Sequence, residues 1–184
     1  MTNKKETAII IGRFQPFHLG HADLLEKIIL DMGRDTQIII GVGVSGKGRT
    51  KLNPFTFAEV SAMIRNFLQE KGYNVSIFPI ADINNPECYA QHVINTMSLD
   101  LNNENYILYS NNEYTRSCFE PWIATTCATT KFPNICATKV RNLLAQNDDS
   151  WIKLVPKETA NYILNVMPGS KAVGYLCRTC VDIR

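Results

Sequence analysis

The 184-residue chain lacks any long hydrophobic run and any cluster of like charges. Its longest apolar runs, residues 8–11 and 38–44, are far too short to cross a bilayer, and no apolar stretch of signal-peptide length follows the polar start. The net charge of +2, without a block of Lys or Arg, gives little electrostatic reason to expect nucleic acid as a partner. We therefore expect a cytoplasmic protein that works without a membrane and without nucleic acid.

Closely spaced cysteines are scarce, although the chain contains six. The one tight pair is Cys177-Arg-Thr-Cys180, and a zinc ribbon needs a second such pair, which the sequence does not have. Scattered thiols in a reducing compartment are usually small core residues, and we prefer this interpretation to a redox or metal role. We predict no residue that binds a metal directly.

What the chain does have is the composition of an ordinary globular protein, with 45% hydrophobic and 20% charged residues. No repeat, low-complexity tract or linker divides it, so we predict a single domain over residues 1–184. Residues 168–184 form a C-terminal extension of undetermined structure. Within it, residues 172–176 and 181–183 fit either added strands or a docking segment.

Short apolar runs alternate with amphipathic stretches along the chain. Runs with the character of strands lie at 8–11, 36–44, 75–80, 106–109 and within 123–130. Helical periodicity lies at 22–32, 57–68, 86–97, 114–119, 138–145 and 156–166. This alternation predicts an α/β fold with a Rossmann-like parallel sheet and helices on both faces, and such sheets bind ligands at the carboxyl ends of their strands.

The glycines within residues 41–48 satisfy a dinucleotide-binding pattern and most of a phosphate-loop pattern. Both motifs require the glycines to lead directly into a helix, whereas we expect no helix here before about Thr56. We therefore reject both. The basic residues Lys47, Arg49 and Lys51 fit a mobile loop near phosphates and an inert solvated loop equally well.

The most informative segment reads Gly-Arg-Phe-Gln-Pro-Phe-His-Leu-Gly-His over residues 12–21, between the first strand and the first helix. The N–H groups at a helix start have no intrahelical partner and lie at the positive end of the helix dipole, so they favour anions. His18 and His21 project from that end, and Arg13 adds a cation suited to phosphate oxygens. Gly12 and Gly20 let a ligand approach the backbone. The segment therefore predicts a polyphosphate site.

This segment resembles the His-x-Gly-His signature of the nucleotidyltransferase superfamily, and its full wording is similar to that of the archaeal-type nicotinamide mononucleotide adenylyltransferases. The similarity extends over roughly residues 7–167 and includes Asn-Pro-Phe-Thr at 53–56 and Asp-Ile-Asn at 82–84. Residues 136–141, Cys-Ala-Thr-Lys-Val-Arg, match the second signature Ser/Thr-x-Thr-x-x-Arg in part. Two departures are Cys136, a weaker donor than a hydroxyl, and Val60, which stands where the family has Arg.

The resemblance implies the nucleotidyltransferase fold and the transfer of the adenylyl group of ATP to nicotinamide mononucleotide, giving NAD and pyrophosphate. It implies catalytic roles for His18, His21, Arg13 and Arg141, with Mg²⁺ bound together with ATP. The residues implied to bind ATP are Gly12, Arg13, Phe14, His18, Gly20, His21, Cys136, Thr138 and Arg141. Those implied to bind the nicotinamide nucleotide are Gln15, Asp82, Asn84 and Tyr89, although Tyr89 fits ordinary core packing equally well. The archaeal-type relatives are commonly hexamers, which implies a homo-oligomer.

Two other functions stay open. One is an adenylyl- or cytidylyltransferase for another phosphate acceptor. The extended first signature and residues 82–89 argue against it, because acceptor identity is read there in the family. The other is a non-catalytic nucleotide-binding regulator, which the departures at Cys136 and Val60 would suit.

Overall fold

The computed structural model describes residues 6–44, 49–69, 71–83 and 85–166. Lys47, Asn84 and the C-terminal extension, with its two candidate strands and Cys177 and Cys180, lie outside the described residues. The described residues form two compact units, one from residues 6–12, 24–44 and 73–129 and the other from residues 13–23, 49–72 and 130–166. The single domain expected from the sequence stays a prediction.

The first unit contains a parallel sheet of five strands. They are β1 (Glu6–Gly12), β2 (Gln37–Val44), β3 (Val75–Ala81), β4 (Asn105–Tyr109) and β5 (Ala124–Thr126). Their order is β3-β2-β1-β4-β5, so the chain builds the sheet outward on one side of β1 and then on the other. The carboxyl end of β1 at Gly12 therefore borders the point where the topology switches, which is where such sheets bind ligands. The predicted α/β fold class is confirmed.

Burial explains why β1 is apolar without alternation. Ala8, Ile9 and Ile10 are at most 4% exposed, because both faces of this central strand are covered. On one face, Ile9 and Leu108 pack with apolar side chains of the third helix, such as Val93 and Met97. This apolar cluster is the core of the first unit.

The described residues also contain six α-helices. They are α1 (Leu19–Met32), α2 (Phe57–Gln69), α3 (Tyr89–Thr96), α4 (Glu113–Phe119), α5 (Ala137–Ala145) and α6 (Lys157–Val166). All six lie where the periodicity predicts them. A short 3₁₀ turn at Pro86–Cys88 forms the start of the stretch predicted as helical over 86–97, and a second at Asp149–Leu154 was not predicted. Gly33 and Gly72 follow α1 and α2 with φ of +98° and +67°, a conformation that favours glycine and ends a helix.

Gly41, within β2, allows neighbouring elements to pack closely on the strand. A Cβ on Gly41 would lie 2.5 Å from Met97 Cε and 3.0 Å from Ile80 Cγ1, so a side chain there would collide with α3 and β3. Residues 49–56 form no helix, and α2 begins only at Phe57, as expected. The absence of a helix directly after the glycines supports the rejection of both phosphate-loop patterns.

Thr56 and Glu59 form a capping box at the start of α2. The Thr56 N–H donates to Glu59 Oε2 at 2.7 Å, and the Glu59 N–H donates to Thr56 Oγ1 at 3.3 Å. Arg49 pairs with Glu59 Oε1 at 2.7 Å and donates to the Pro54 carbonyl at 2.8 Å. Burial alone would raise the pKa of Glu59, but the hydrogen bonds from Arg49 and Thr56 hold that pKa below its usual value. Arg49 thus braces the segment that leads into α2.

The expectation that the cysteines are core residues is wrong for three of them. Cys88, Cys127 and Cys136 are exposed, and Cys118 is half-buried. The three exposed residues lie at or beside the ends of helices or strands, where the chain meets solvent, whereas a core thiol needs an inward position within an element.

No helix in the described part of the chain is both long and apolar enough to cross a membrane.

Candidate active site

The turn between β1 and α1 is held by two buried aromatic rings. Phe14 is 3% exposed and Phe17 is fully buried, and the Phe17 ring lies 5.4 Å from the ring of Phe67 in α2. Phe14 has a φ of +51°, a left-handed conformation that is unfavourable for a residue with a side chain. Such conformations cluster at functional sites, where the surrounding packing maintains them.

His18 and His21 stack on each other at the start of α1. Their ring centroids lie 3.6 Å apart, and the His21 ring is also 4.7 Å from the ring of Phe14. The His18 N–H points at His21 Nδ1 at 3.3 Å, which makes Nδ1 the acceptor and assigns the proton of the neutral ring to Nε2. His21 therefore presents a fixed N–H donor.

Both imidazoles are neutral at physiological pH. Burial lowers the pKa of His18 to about 4 from 6.5. Burial is the main cause that lowers the pKa of His21 well below its usual value, and the neighbouring His18 adds a smaller effect in the same direction. Each neutral ring therefore offers one N–H donor and one acceptor nitrogen.

The Nδ1 atom of His18 is buried and has no hydrogen-bond partner among the described residues. A Cβ on Gly20 would lie 3.2 Å from this atom and 3.8 Å from the carbonyl oxygen of Ile135. Since Gly20 has no Cβ, the His18 ring can pack closely against the main chain here, on the side that faces the chain leading into α5. A buried polar atom without a partner is rare, and a ligand group that reached this nitrogen would satisfy it.

Residues of the partial second signature lie at the start of α5. Cys136 is the N-cap residue and makes no side-chain capping hydrogen bond. Arg141 donates from Nη1 to the carbonyl of Gln15 at 2.7 Å and from Nη2 to Thr138 Oγ1 at 3.0 Å. Burial lowers the pKa of Arg141, but its guanidinium stays cationic at neutral pH. The structure thus joins the second signature to the first.

Two of the predicted residues contact the segment that precedes α2. The Gln15 side chain is 4% exposed and bonds to both main-chain groups of Phe55, each at 2.9 Å. Arg13 Nη1 lies 3.4 Å from Asn53 Oδ1, a long contact on the exposed side of the turn. The Gln15 carboxamide thus already bonds to the main chain. The predicted contact of Gln15 with the nicotinamide nucleotide stays a prediction.

Asp82 and Tyr89 lie in the first unit, at the carboxyl end of β3 and the start of α3. The Asp82 N–H donates to the Val44 carbonyl at 3.1 Å, and the Asp82 side chain is exposed. Tyr89 is half-buried and meets Phe119 edge to face, with ring centroids 6.1 Å apart. This contact is the core packing that the sequence allowed, and a role in binding the nicotinamide ring stays a prediction.

The described residues contain no group of three or more His, Cys, Asp or Glu that could hold a metal ion. The cationic and N–H donors of the second unit suit an anion.

Sequence reasoning missed three residues that hold the site. Phe17 stacks on His21 with ring centroids 5.8 Å apart, and the main chain of Phe55 occupies the Gln15 side chain. Asp23, buried in α1, accepts from the Lys131 N–H at 2.8 Å and so anchors the chain that leads into α5. Phe17 stands inside the first signature, but no sequence pattern points to the partners of Phe55 and Asp23.

Comparison with known proteins agrees with this geometry. The model of the cytidylyltransferase-like family matches residues 9–143. The nicotinamide-nucleotide adenylyltransferase of Sulfurisphaera tokodaii is 31% identical over 86% of this chain and 91% of its own length. That of Thermoplasma volcanium is 29% identical over 99% of this chain and 98% of its own.

A solved structure also shares the fold. It is a bifunctional NMN adenylyltransferase/ADP ribose pyrophosphatase from Francisella tularensis, crystallised with AMP and a manganese ion. The TM-score is 0.72 at 22% identity, over 96% of this chain and 53% of that one, so the chain spans about half of the bifunctional protein. The chain belongs to the cytidylyltransferase-like family and, within it, to the family of the nicotinamide-nucleotide adenylyltransferases.

Proposed function

We propose that the protein transfers the adenylyl group of ATP to nicotinamide mononucleotide, giving NAD and pyrophosphate. The observation that carries this proposal is the buried and unpartnered Nδ1 of His18, which lies near the chain that leads into α5. The names of the relatives supply the substrates, and the two signatures supply the groups that would hold them.

In this reaction a phosphate oxygen of the mononucleotide attacks the α-phosphorus of ATP in line, and pyrophosphate leaves. A phosphate monoester is already ionised near neutral pH, so the protein needs no general base. It has to align two polyanions and stabilise the charge that moves to the leaving group. The site is rich in N–H donors and guanidinium groups, as this chemistry requires.

Each group has a distinct task. His21 would donate from Nε2, since its Nδ1 already accepts from the His18 N–H. Arg141 would neutralise the triphosphate from a fixed position, because Gln15 and Thr138 hold its guanidinium. Arg13 would add a second cation at the exposed side of the turn. Main-chain N–H groups at the start of α5 would bind phosphate oxygens where Cys136 offers only a weak donor.

Mg²⁺ belongs to the proposal as a partner of ATP. It would bind together with the triphosphate and reduce its negative charge, and it would need no dedicated carboxylates from the chain. The protein's own donors would then bind the oxygens that the ion leaves free.

The nicotinamide nucleotide would bind through Asp82, Asn84 and Tyr89, with the Tyr89 ring against the electron-poor pyridinium.

We also propose a homo-oligomer, which light scattering of the purified protein tests. A cytoplasmic location follows from this proposal, because ATP and nicotinamide mononucleotide are both cytoplasmic metabolites.

The experiment is direct. Purified protein is mixed with ATP, Mg²⁺ and nicotinamide mononucleotide, and NAD is measured with an NAD-dependent dehydrogenase. Parallel reactions replace the acceptor with phosphopantetheine or riboflavin phosphate and replace ATP with CTP. NAD formation well above that of a heat-treated control supports the proposal. Product from another acceptor alone would assign a different transferase, and nucleotide binding without any product would leave a regulator.

A further inference from the structure

The geometry points to Gln15 as a positioning residue that holds the phosphate-binding turn, and with it Arg141, in place. The inference rests on the proposed function, because it concerns the site at which ATP would bind. It assigns Gln15 a role different from the nucleotide contact that the family resemblance implies.

The Gln15 carboxamide behaves like a peptide group in a strand pair. Its Nε2 donates to the Phe55 carbonyl at 2.9 Å, and its Oε1 accepts from the Phe55 N–H at 2.9 Å. Both residues are 4% exposed, so these two hydrogen bonds are shielded from water. These two hydrogen bonds leave one N–H of Nε2 and one lone pair of Oε1 unused, but they fix the orientation of the carboxamide.

The main chain of Gln15 carries the second half of the argument. Its carbonyl accepts from Arg141 Nη1 at 2.7 Å, the shorter of the two hydrogen bonds that orient this guanidinium. The position of Arg141 therefore depends on the position of one carbonyl in the turn. The two hydrogen bonds to Phe55 fix the Gln15 carbonyl, because the side chain that makes them belongs to the same residue.

The same two hydrogen bonds fix the segment that carries Asn53. The Oδ1 atom of Asn53 lies 3.4 Å from Arg13 Nη1 on the exposed side of the turn. Arg49 and Glu59 brace this segment from its other side, through the Pro54 carbonyl and the Thr56 N–H. Gln15 is thus the residue at which the first signature, the second signature and the segment before α2 meet.

The test is Gln15→Met, which keeps the length and apolar stem of the side chain and removes both hydrogen bonds. We expect the KM for ATP to rise about tenfold, because displaced binding groups lose much of their effect, and kcat at saturating ATP to change less. The matched control is Thr36→Val. Thr36 is 6% exposed and donates to the Met32 carbonyl at 3.0 Å, so this variant also loses a buried side-chain to main-chain hydrogen bond. It should lower the melting temperature without changing the KM for ATP.

A merely structural role would give Gln15→Met and Thr36→Val the same profile, and that result would overturn the inference. An unchanged KM for ATP in Gln15→Met would overturn it as well. A rise in the KM for nicotinamide mononucleotide alone would instead return Gln15 to the predicted nucleotide contact. The dissociation constant for ATP, measured by titration calorimetry on both variants, tests the inference even if the parent protein forms no NAD. Failure of the proposed function and failure of this inference are therefore separate results.

Discussion

The most decisive perturbation concerns the proton on His21. The hydrogen bond from the His18 N–H to Nδ1 leaves Nε2–H as the only donor of this imidazole, and the ring is packed against Phe14 and Phe17. A preorganised donor aimed at transition-state charge typically contributes a factor of about 10² to 10³ in kcat. Since each tenfold is about 1.4 kcal/mol, the expected loss in His21→Ala is about 3–4 kcal/mol of transition-state stabilisation.

Two further variants separate the donor from the packing. In His21→Asn the carboxamide ends near the position of Nδ1, so it keeps the acceptor for His18 and lacks the Nε2 donor. In His21→Gln the amide reaches the region of Nε2 and keeps a donor. We expect Asn to be as slow as Ala and Gln to recover part of the rate, in NAD formation followed at saturating substrates. Melting temperatures of the three variants control for lost packing. The reasoning is refuted if His21→Asn turns over within a few-fold of the parent protein.

Three other predictions follow from the same site. Arg141→Lys should raise the KM for ATP about tenfold in steady-state kinetics, because an ammonium cannot bond to Gln15 and Thr138 while facing phosphate; an unchanged KM would contradict this. Cys136→Ser should raise the free energy of unfolding in urea by about 1 kcal/mol and lower the KM for ATP, because serine caps a helix that cysteine leaves uncapped. Equal urea midpoints for the variant and the parent protein would argue against this. The free energy of unfolding should decrease as the pH is lowered from about 6.5 towards 4. In this range His18 binds a proton in the unfolded state but not in the folded state, where its pKa is about 4. The difference for His18 alone is about 2 kcal/mol between pH 7.5 and pH 5, and it should be absent from His18→Gln.

Much of the fold was predictable because its signals are local. The apolar run of β1 predicts a strand covered on both faces, and Thr56 with Glu59 predicts the start of α2, since a capping box involves residues only three apart. The anion site predicted at the start of α1 rests on the arrangement of glycine, histidine and arginine within ten residues. Such patterns need no knowledge of what lies elsewhere in the chain.

The burial of the cysteines was not predictable from composition. A free thiol is apolar enough for a core and polar enough for a surface, so its position within an element decides. Cys136 stands before α5 as its N-cap, and Cys127 follows the last residue of β5, so both are exposed.

The sequence by itself therefore determined the kinds of elements, their order along the chain and the chemical character of the turn after β1. Only the tertiary structure decided the strand order β3-β2-β1-β4-β5, the packing reason for Gly41 and the partners of Gln15. Gln15 meets Phe55 across 40 residues of chain and Arg141 across 126 residues. Contacts at such separations depend on how whole elements pack, and neither hydrophobic period nor local capping chemistry carries that information.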